Sequence, residues 1–189
     1  MGTKPRESNL DESTLVRWVK EYASGIRGYV TSLLHDAGLA EDFVQEVFLR
    51  AWRQRESYVE QGQAKAFLFR IADRLVIDHR RAKYGREPDS RIALIDLVDS
   101  AGLTSIDEVI SRESARRIAE GLETLSPIQQ RVLLLRYFGE LRFEEIATMV
   151  GCPLNTALSH ARRGLEQLRV HWDSQERVGP GRVTQENKS

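Results

Sequence analysis

Cysteine occurs only once in this 189-residue chain, as Cys152. A single thiol cannot form a disulfide within the chain, so a reducing compartment is the simplest setting. No apolar run reaches the roughly 20 residues that a membrane span needs. The polar N-terminus, residues 1–9, lacks the apolar segment of a signal peptide. These absences predict a cytoplasmic protein that does not insert into a membrane.

Glycine and proline are also scarce, with 13 and 5 residues. This argues against a turn-rich all-β fold and favours helices. Apolar residues recur at spacings of three and four, the period of a helix with one buried face. Gly38 follows the first such stretch directly. We therefore predict an all-α protein. The predicted helices cover about residues 11–36, 40–54, 64–83, 106–124, 128–137, 143–150 and 155–170.

Charge of one sign is not in excess, because 28 basic residues balance 28 acidic ones. Within the chain, however, residues 84–111 carry six acidic and two basic side chains. This distribution predicts two small helical domains joined by an acidic linker. The predicted parts are a helical bundle over 11–84, the linker over 85–105, a helix-turn-helix domain over 106–170 and a disordered tail over 171–189. A neutral chain binds DNA weakly by itself, which favours a subunit of a larger complex.

Patterns typical of enzymes are missing. The four histidines and the single cysteine have no metal-ligand spacing, and no glycine-rich phosphate loop occurs. No nucleophile pairs with a base in the sequence. The prediction is therefore a protein that is not an enzyme and has no metal, no cofactor and no small-molecule substrate.

The most informative pattern is a helix-turn-helix over residues 142–169. Two predicted helices are separated by a short turn at Gly151, and Ala157, Ala161 and Gly164 give the second helix one small-residue face. The opposite face carries polar and basic side chains that suit the major groove or its phosphates. They are Asn155, Thr156, Ser159, His160, Arg162 and Arg163. A helical hairpin with a solvated polar face is the alternative, and we favour DNA binding.

Two further surfaces lie in the N-terminal half. One face of the second helix carries Asp42, Gln45, Glu46 and Leu49. Alone, such a face is usually just solvated. The third helix carries a basic ridge interleaved with aromatic residues, made of Arg70, Arg74, Arg80, Arg81 and Lys83. A ridge of this kind suits single-stranded nucleic acid, although a solvated helix face is equally consistent with it.

Three segments together resemble a known family. They read AEDFVQEVFLRAW, AFLFRIADRLVIDHRR and LSPIQQRVLLLRYFGELRFEEIATMVGCPLNTALSHARRGLEQLR. They are similar to the second and fourth conserved regions of extracytoplasmic-function sigma factors, in the family's order and spacing. With the helix before them they cover most of residues 11–170. The resemblance implies a transcription initiation factor that binds core RNA polymerase, directs it to promoters and assists promoter melting. Core polymerase, promoter DNA and an anti-sigma factor are its implied partners.

The same resemblance implies roles for individual residues. The polymerase-binding residues would be Asp42, Gln45, Glu46 and Leu49. The residues that hold the melted minus-ten element would be Tyr58, Gln61, Gln63, Phe67, Arg70, Arg74, Asp78, Arg80, Arg81 and Lys83, with a flipped base near the loop. The residues that bind the minus-thirty-five duplex would be Asn155, Thr156, Ser159, His160, Arg162 and Arg163.

Some positions depart from the family's pattern. Phe67 stands where tryptophan is usual, and Arg74 stands where asparagine is frequent. Residues 157–160 read Ala-Leu-Ser-His in place of the usual Val-Lys-Ser-Arg, which predicts weaker duplex contacts or an atypical upstream element. Two alternatives stay open. One is a one-component helix-turn-helix regulator that binds duplex DNA without polymerase, and the other is a helical adaptor that does not bind DNA.

Overall fold

The computed structural model describes residues 10–59, 62–84 and 116–178, and within these ranges the chain forms helices and no strands. The predicted all-α class is therefore confirmed. The predicted acidic linker, 85–105, lies outside the described residues. The helices are α1 (Glu12–Leu34), α2 (Ala37–Arg53), α3 (Ala64–Tyr84), α4 (described over 116–123), α5 (Pro127–Phe138), α6 (Phe143–Val150) and α7 (Leu154–Val178).

Helices α1, α2 and α3 form a bundle around one apolar core. Asp11 starts α1 by accepting a hydrogen bond from the amide of Thr14 at 2.7 Å. Asp36 starts α2 in the same way, through the amide of Leu39 at 2.8 Å. His35 ends α1 in the left-handed conformation, with φ of 55°, which leaves a turn of only two residues between α1 and α2. The largest fully buried side chains of the bundle are Trp18, Ile26, Tyr29, Val30, Val47, Leu68, Phe69 and Val76.

Helices α6 and α7 form the predicted helix-turn-helix. Gly151 follows α6 with φ of 73°, and its amide donates to the carbonyl oxygen of Ala147 at 3.0 Å. The amide of Cys152 donates to the same carbonyl at 3.0 Å. Two amides thus satisfy a carbonyl at the end of α6, and the chain reverses into α7 within three residues.

Small residues bring α7 close to α5. Ala157 and Ala161 are buried, and a Cβ atom on Gly164 would lie 2.9 Å from Cδ1 of Leu133 in α5. A larger side chain at this position would require at least the Leu133 side chain to move. Leu168 continues the buried face, whereas Leu165 is 58% exposed and does not belong to it.

The helix-turn-helix half packs directly on the α1–α3 bundle. Arg131 of α5 forms two hydrogen bonds with the carboxylate of Asp73 in α3, at 2.9 and 2.7 Å. At the end of α5, Phe138 lies against Gly25 and Gly28 of α1. One continuous core therefore contains residues from both halves.

Helix α7 is longer than the sequence predicted. It runs to Val178, so residues 171–178 are helical and are not part of the predicted disordered tail. Trp172 explains the extension, because its indole N–H donates to the carbonyl oxygen of Arg117 at 3.3 Å and its ring covers Gly121 of α4. One aromatic residue in a polar segment thus anchors two more turns of helix. Residues 179–189 lie outside the described part of the chain.

None of the described helices is both long and apolar enough to cross a membrane. No group of three or more histidine, cysteine, aspartate and glutamate side chains in the described part of the chain could hold a metal ion.

Replacing Gly151 by alanine should lower the free energy of unfolding by about 1 kcal/mol, because a left-handed conformation strains any residue with a Cβ atom. The added methyl group meets no atom within 4 Å, so the cost comes from the backbone alone. Denaturant titration measures it. Gly38→Ala is the matched control, since Gly38 lies in the first turn of α2 without a positive φ. It should leave stability unchanged or raise it, and equal losses in both variants would rule out the backbone explanation.

Candidate nucleic-acid and partner interfaces

An apolar groove of about 780 Å³ runs between α1 and α2 on the surface of the bundle. Seven apolar side chains form most of its walls. They are Leu15, Val19, Ala23, Val44, Phe48, Leu49 and Trp52. Charged and polar residues stand at its edges. These are Glu12, Arg27, Glu41 and Gln45, and Arg27 is paired with Glu41 at 2.8 Å. A groove with an apolar floor and a polar rim suits an amphipathic helix of another protein.

The four residues predicted on one face of α2 lie in different surroundings. Gln45 and Leu49 line the groove, and Leu49 is 50% exposed. Asp42 is exposed but is not part of the groove wall. Glu46 is paired with Arg50 at 2.6 Å, and this hydrogen bond, helped by the charges of Arg50 and Arg53, holds the pKa of Glu46 below its usual value. A partner that uses Glu46 must therefore compete with an intrahelical ion pair.

A smaller pocket of about 240 Å³ opens where the loop after α2 meets the start of α3. Its lining combines amide, hydroxyl, aromatic and guanidinium groups. The lining residues are Gln54, Ser57, Tyr58, Val59, Gln63, Phe67 and Arg70. Four of them are predicted minus-ten residues, whereas Gln54, Ser57 and Val59 were missed. The predicted Gln61 lies outside the described residues.

Three aromatic rings support one side of this pocket. Tyr58 and Phe67 lie 4.6 Å apart between ring centroids, with their planes tilted by 39°. Trp18 of α1 meets the Tyr58 ring edge to face at 5.3 Å and is only 2% exposed. Sequence reasoning missed Trp18, because it reads as an ordinary core residue of α1. It fixes Tyr58 and Phe67 from below and does not reach the pocket.

The basic ridge on α3 divides into two parts. Arg70, Arg74 and Arg81 are exposed and fall on one stripe of the helix, together with the exposed Asp78. The stripe extends from the pocket along about 17 Å of helix, taking 1.5 Å per residue. The other two predicted residues lie off this stripe. They are the half-buried Arg80 and the exposed Lys83.

Arg80 is drawn toward the turn between α1 and α2. It lies close enough to His35 that, after the larger effect of burial, its charge helps to lower the pKa of that imidazole. One residue earlier on α3, the His79 ring meets Phe43 of α2 at 5.5 Å. The face of α3 that carries His79 and Arg80 therefore belongs to the packing of the bundle, whereas Arg81 stays on the exposed stripe.

The helix-turn-helix exposes most of the predicted duplex-binding residues on the first turns of α7. Five are exposed, and His160 is half-buried at the side. The exposed ones are Asn155, Thr156, Ser159, Arg162 and Arg163. The Ser159 hydroxyl donates to the carbonyl oxygen of Asn155 at 2.8 Å, so this donor is already used within the helix. Arg162 and Arg163 are the two basic groups of this surface.

Two features of this surface were not foreseen. Leu158 is 40% exposed among the polar residues, so the surface includes an apolar patch. Glu166, also exposed, stands one turn beyond Arg162 on the same stripe. A carboxylate at that position would repel phosphate, so the part of α7 that suits nucleic acid is confined to its first turns.

Comparisons with known proteins agree along most of the chain. Residues 18–86 match the family Sigma-70 region 2, and residues 115–168 match the family Sigma-70, region 4. The chain is 32% identical over 146 residues to the ECF RNA polymerase sigma factor SigK of Mycobacterium ulcerans. The aligned residues cover 76% of this chain and 78% of that protein.

Two solved structures share the fold. The sigma factor RpoE of Bartonella quintana, in complex with the anti-sigma factor NepR, is similar with a TM-score of 0.66 and 23% identity over 84% of this chain and 96% of that one. CnrH, in complex with the cytosolic domain of CnrY, is similar with a TM-score of 0.65 and 17% identity over 87% and 90% of the two chains.

Proposed function

Because the chain belongs to the ECF RNA polymerase sigma factors, which direct core polymerase to promoters, we propose that its three surfaces divide this work between them. The α1–α2 groove binds core polymerase, the pocket at the start of α3 holds a base of the melted minus-ten element, and α7 contacts the minus-thirty-five duplex. The observation that carries this assignment is the pocket itself, since amides, two aromatic rings in contact and a guanidinium converge there beside an exposed basic stripe.

The pocket suits a base that has left the duplex. A flipped base exposes its hydrogen-bonding edge and both ring faces, and it needs polar groups for the first and stacking for the second. Gln54 and Gln63 each offer a donor and an acceptor, and Tyr58 and Phe67 offer ring surface. Arg70, Arg74 and Arg81 then follow the backbone of the melted strand along α3 through its phosphates.

The groove suits a helix of the polymerase. Its floor is apolar, and two of the large apolar side chains left exposed in the described chain, Val19 and Leu49, line it. Exposed apolar side chains clustered in one groove are typical of a binding site. Gln45 and Leu49 lie in the contact, and Asp42 stands beside it as a charged rim residue. An anti-sigma factor that filled the same groove would exclude polymerase from it.

The predicted domain boundaries remain part of this proposal. The bundle over 11–84 carries the polymerase and minus-ten surfaces, the helix-turn-helix domain over 106–170 carries the minus-thirty-five surface, and the acidic linker joins them. Such a protein works in the cytoplasm, together with polymerase and the chromosome. A one-component regulator and a DNA-free adaptor are not favoured, since neither needs a pocket for an unpaired base.

Run-off transcription tests the proposal. Purified core polymerase is given genomic fragments of the source organism with and without this protein. New discrete transcripts that need the protein are expected, and their start points reveal the promoter. Binding to core polymerase without transcripts would overturn the promoter assignments, and the absence of both would overturn the polymerase assignment as well.

Replacing Arg162 and Arg163 by alanine should weaken holoenzyme binding to the minus-thirty-five duplex and flatten its salt dependence. Each lost phosphate contact lowers the slope of log affinity against log salt by about 1. Fluorescence anisotropy over a range of salt concentrations measures this slope. Arg169→Ala is the control, because Arg169 lies two turns further along α7 and is paired with Asp173 at 3.8 Å. An unchanged slope in the double variant would remove both arginines from the DNA surface.

A further inference from the structure

Helix α3 contains two acidic residues, and only Asp78 is exposed. It lies on the same stripe as the arginines, four residues after Arg74 and three before Arg81. Side chains at these spacings are close enough on a helix to form an ion pair. Within the described ranges, however, Asp78 takes part in no hydrogen bond and no ion pair. Its carboxylate oxygens are therefore open to a ligand that lies along the stripe.

A carboxylate at this place needs a hydrogen-bond donor from whatever binds there. The arginines of the stripe attract phosphates, whereas Asp78 repels them and accepts hydrogen bonds without donating any. In a single strand of DNA the phosphates and the sugars offer no donor, so the donors are the N–H groups of the bases. The backbone of the strand therefore suits the arginines, and a base edge suits Asp78.

Guanine is the base whose Watson–Crick edge fits a carboxylate best. Its N1–H and N2 amino groups lie side by side, so both can donate at once to the two oxygens, in the parallel geometry that makes charge-assisted pairs strong. Adenine and cytosine offer one amino group beside a ring nitrogen that repels the second oxygen. Thymine offers one N–H between two carbonyl oxygens. Pairing hides this edge in the duplex, and melting exposes it.

The position of Asp78 separates this contact from the pocket at the start of α3. Asp78 lies eight residues beyond Arg70, the stripe residue that lines the pocket. Eight residues of helix span about 12 Å, which equals roughly three to four nucleotides at the stacked rise of about 3.4 Å each. The base at Asp78 is therefore a second one, several nucleotides away from the base in the pocket.

We propose that Asp78 reads a guanine of the melted minus-ten strand through its N1–H and N2 amino groups. The inference rests on the proposed function, in which this strand follows α3. Arg74 and Arg81 hold the phosphates on either side, and Asp78 supplies the base selection that the arginines lack. The stripe then recognises sequence as well as charge.

Replacement of guanine by hypoxanthine tests the contact, because the two bases differ only in the N2 amino group. The probes are single-stranded oligonucleotides with the non-template minus-ten sequence of a promoter mapped by run-off transcription, each with one guanine replaced. Competition binding measures their affinity for the holoenzyme. At one position the replacement should weaken binding by about ten- to a hundredfold, the factor for one hydrogen bond to a charged group. 7-Deazaguanine at that position keeps the edge and should leave the affinity unchanged.

Asp78→Ala should bind the guanine and hypoxanthine probes equally. Glu21→Ala is the matched control, because Glu21 is an exposed carboxylate of α1 that follows Arg17 by four residues, as Asp78 follows Arg74. Glu21 lines neither the groove nor the pocket. Each variant removes one negative charge from the bundle, but Glu21→Ala should keep the wild-type discrimination. Equal discrimination by Asp78→Ala and the wild type would overturn the proposal.

Asp78→Asn should change the preferred base. An asparagine amide offers one acceptor and one donor, which match the N6 amino group and the N1 atom of adenine. The Asp78→Asn holoenzyme should therefore bind a probe with adenine at this position more tightly than the guanine probe, which reverses the order of the wild type. A guanine preference that survives this change would show that another group reads the base.

The failure of this contact can be told from the failure of the proposed function. A minus-ten strand without guanine, or wild-type holoenzyme that binds every hypoxanthine probe as tightly as the parent strand, overturns the Asp78 contact alone. A protein that yields no run-off transcripts with core polymerase overturns the proposed function, and the Asp78 contact with it.

Discussion

Affinity for core RNA polymerase should fall by about a hundredfold when Leu49 is replaced by aspartate. Leu49 lines the apolar groove between α1 and α2 and is 50% exposed, so the folded protein itself tolerates a polar side chain there. In the complex, however, the carboxylate would be enclosed by apolar walls without a cation, and a charge in that position is strongly unfavourable. The loss should therefore be seen in binding and not in the free energy of unfolding.

Val16→Asp is the matched control for this experiment. Val16 lies on α1 with 49% exposure, almost the value for Leu49, but it does not line the groove. The same change of chemistry is thus placed on the same bundle outside the proposed contact. Affinities are measured by titrating labelled protein with core polymerase, and thermal unfolding checks both variants. Equal affinities for Leu49→Asp and Val16→Asp would refute the groove as the polymerase site.

Most helices could be predicted because each has apolar residues at helical spacing in its own sequence. The spacing of apolar residues predicted α3 over 64–83, and the structure has it over Ala64–Tyr84. The turn between α1 and α2 was predicted less well. Gly38 looked like the residue that follows α1, yet it lies inside α2, and His35 takes the left-handed conformation instead. Capping by Asp36 starts α2 earlier than the apolar pattern indicates.

The contact between the two halves was not predictable from local pattern. Asp73 and Arg131 are 58 positions apart, and each looks like a solvated residue of an amphipathic helix. Asp73 is buried only because the helices pack together. Without knowing that it is buried, its pairing with Arg131 cannot be anticipated. The arrangement of the residues predicted to bind the minus-ten element could also be anticipated only in part. A ridge of arginines could be read from α3, but the separation of Lys83 from the stripe and the support from Trp18 depend on how the helices pack.

The second large effect should be on promoter opening. Replacing Gln63 by leucine and Arg70 by alanine removes an amide and a guanidinium from the pocket at the start of α3. Loss of the hydrogen bonds to a flipped base and of one phosphate contact should reduce run-off transcription by about a hundredfold. Both side chains are exposed, so the bundle should stay folded.

A template with mismatched bases across the minus-ten element identifies the step that is lost. If the pocket captures a base during melting, the double variant should recover most of its activity on this template, because opening is already done. Arg17→Ala is the control, since Arg17 is an exposed arginine on α1 away from the pocket, and it should behave as wild type on both templates. A defect of equal size on duplex and mismatched templates would place these residues outside promoter opening. The pocket assignment then fails, while the proposed polymerase groove, which shares no lining residue with the pocket, is unaffected.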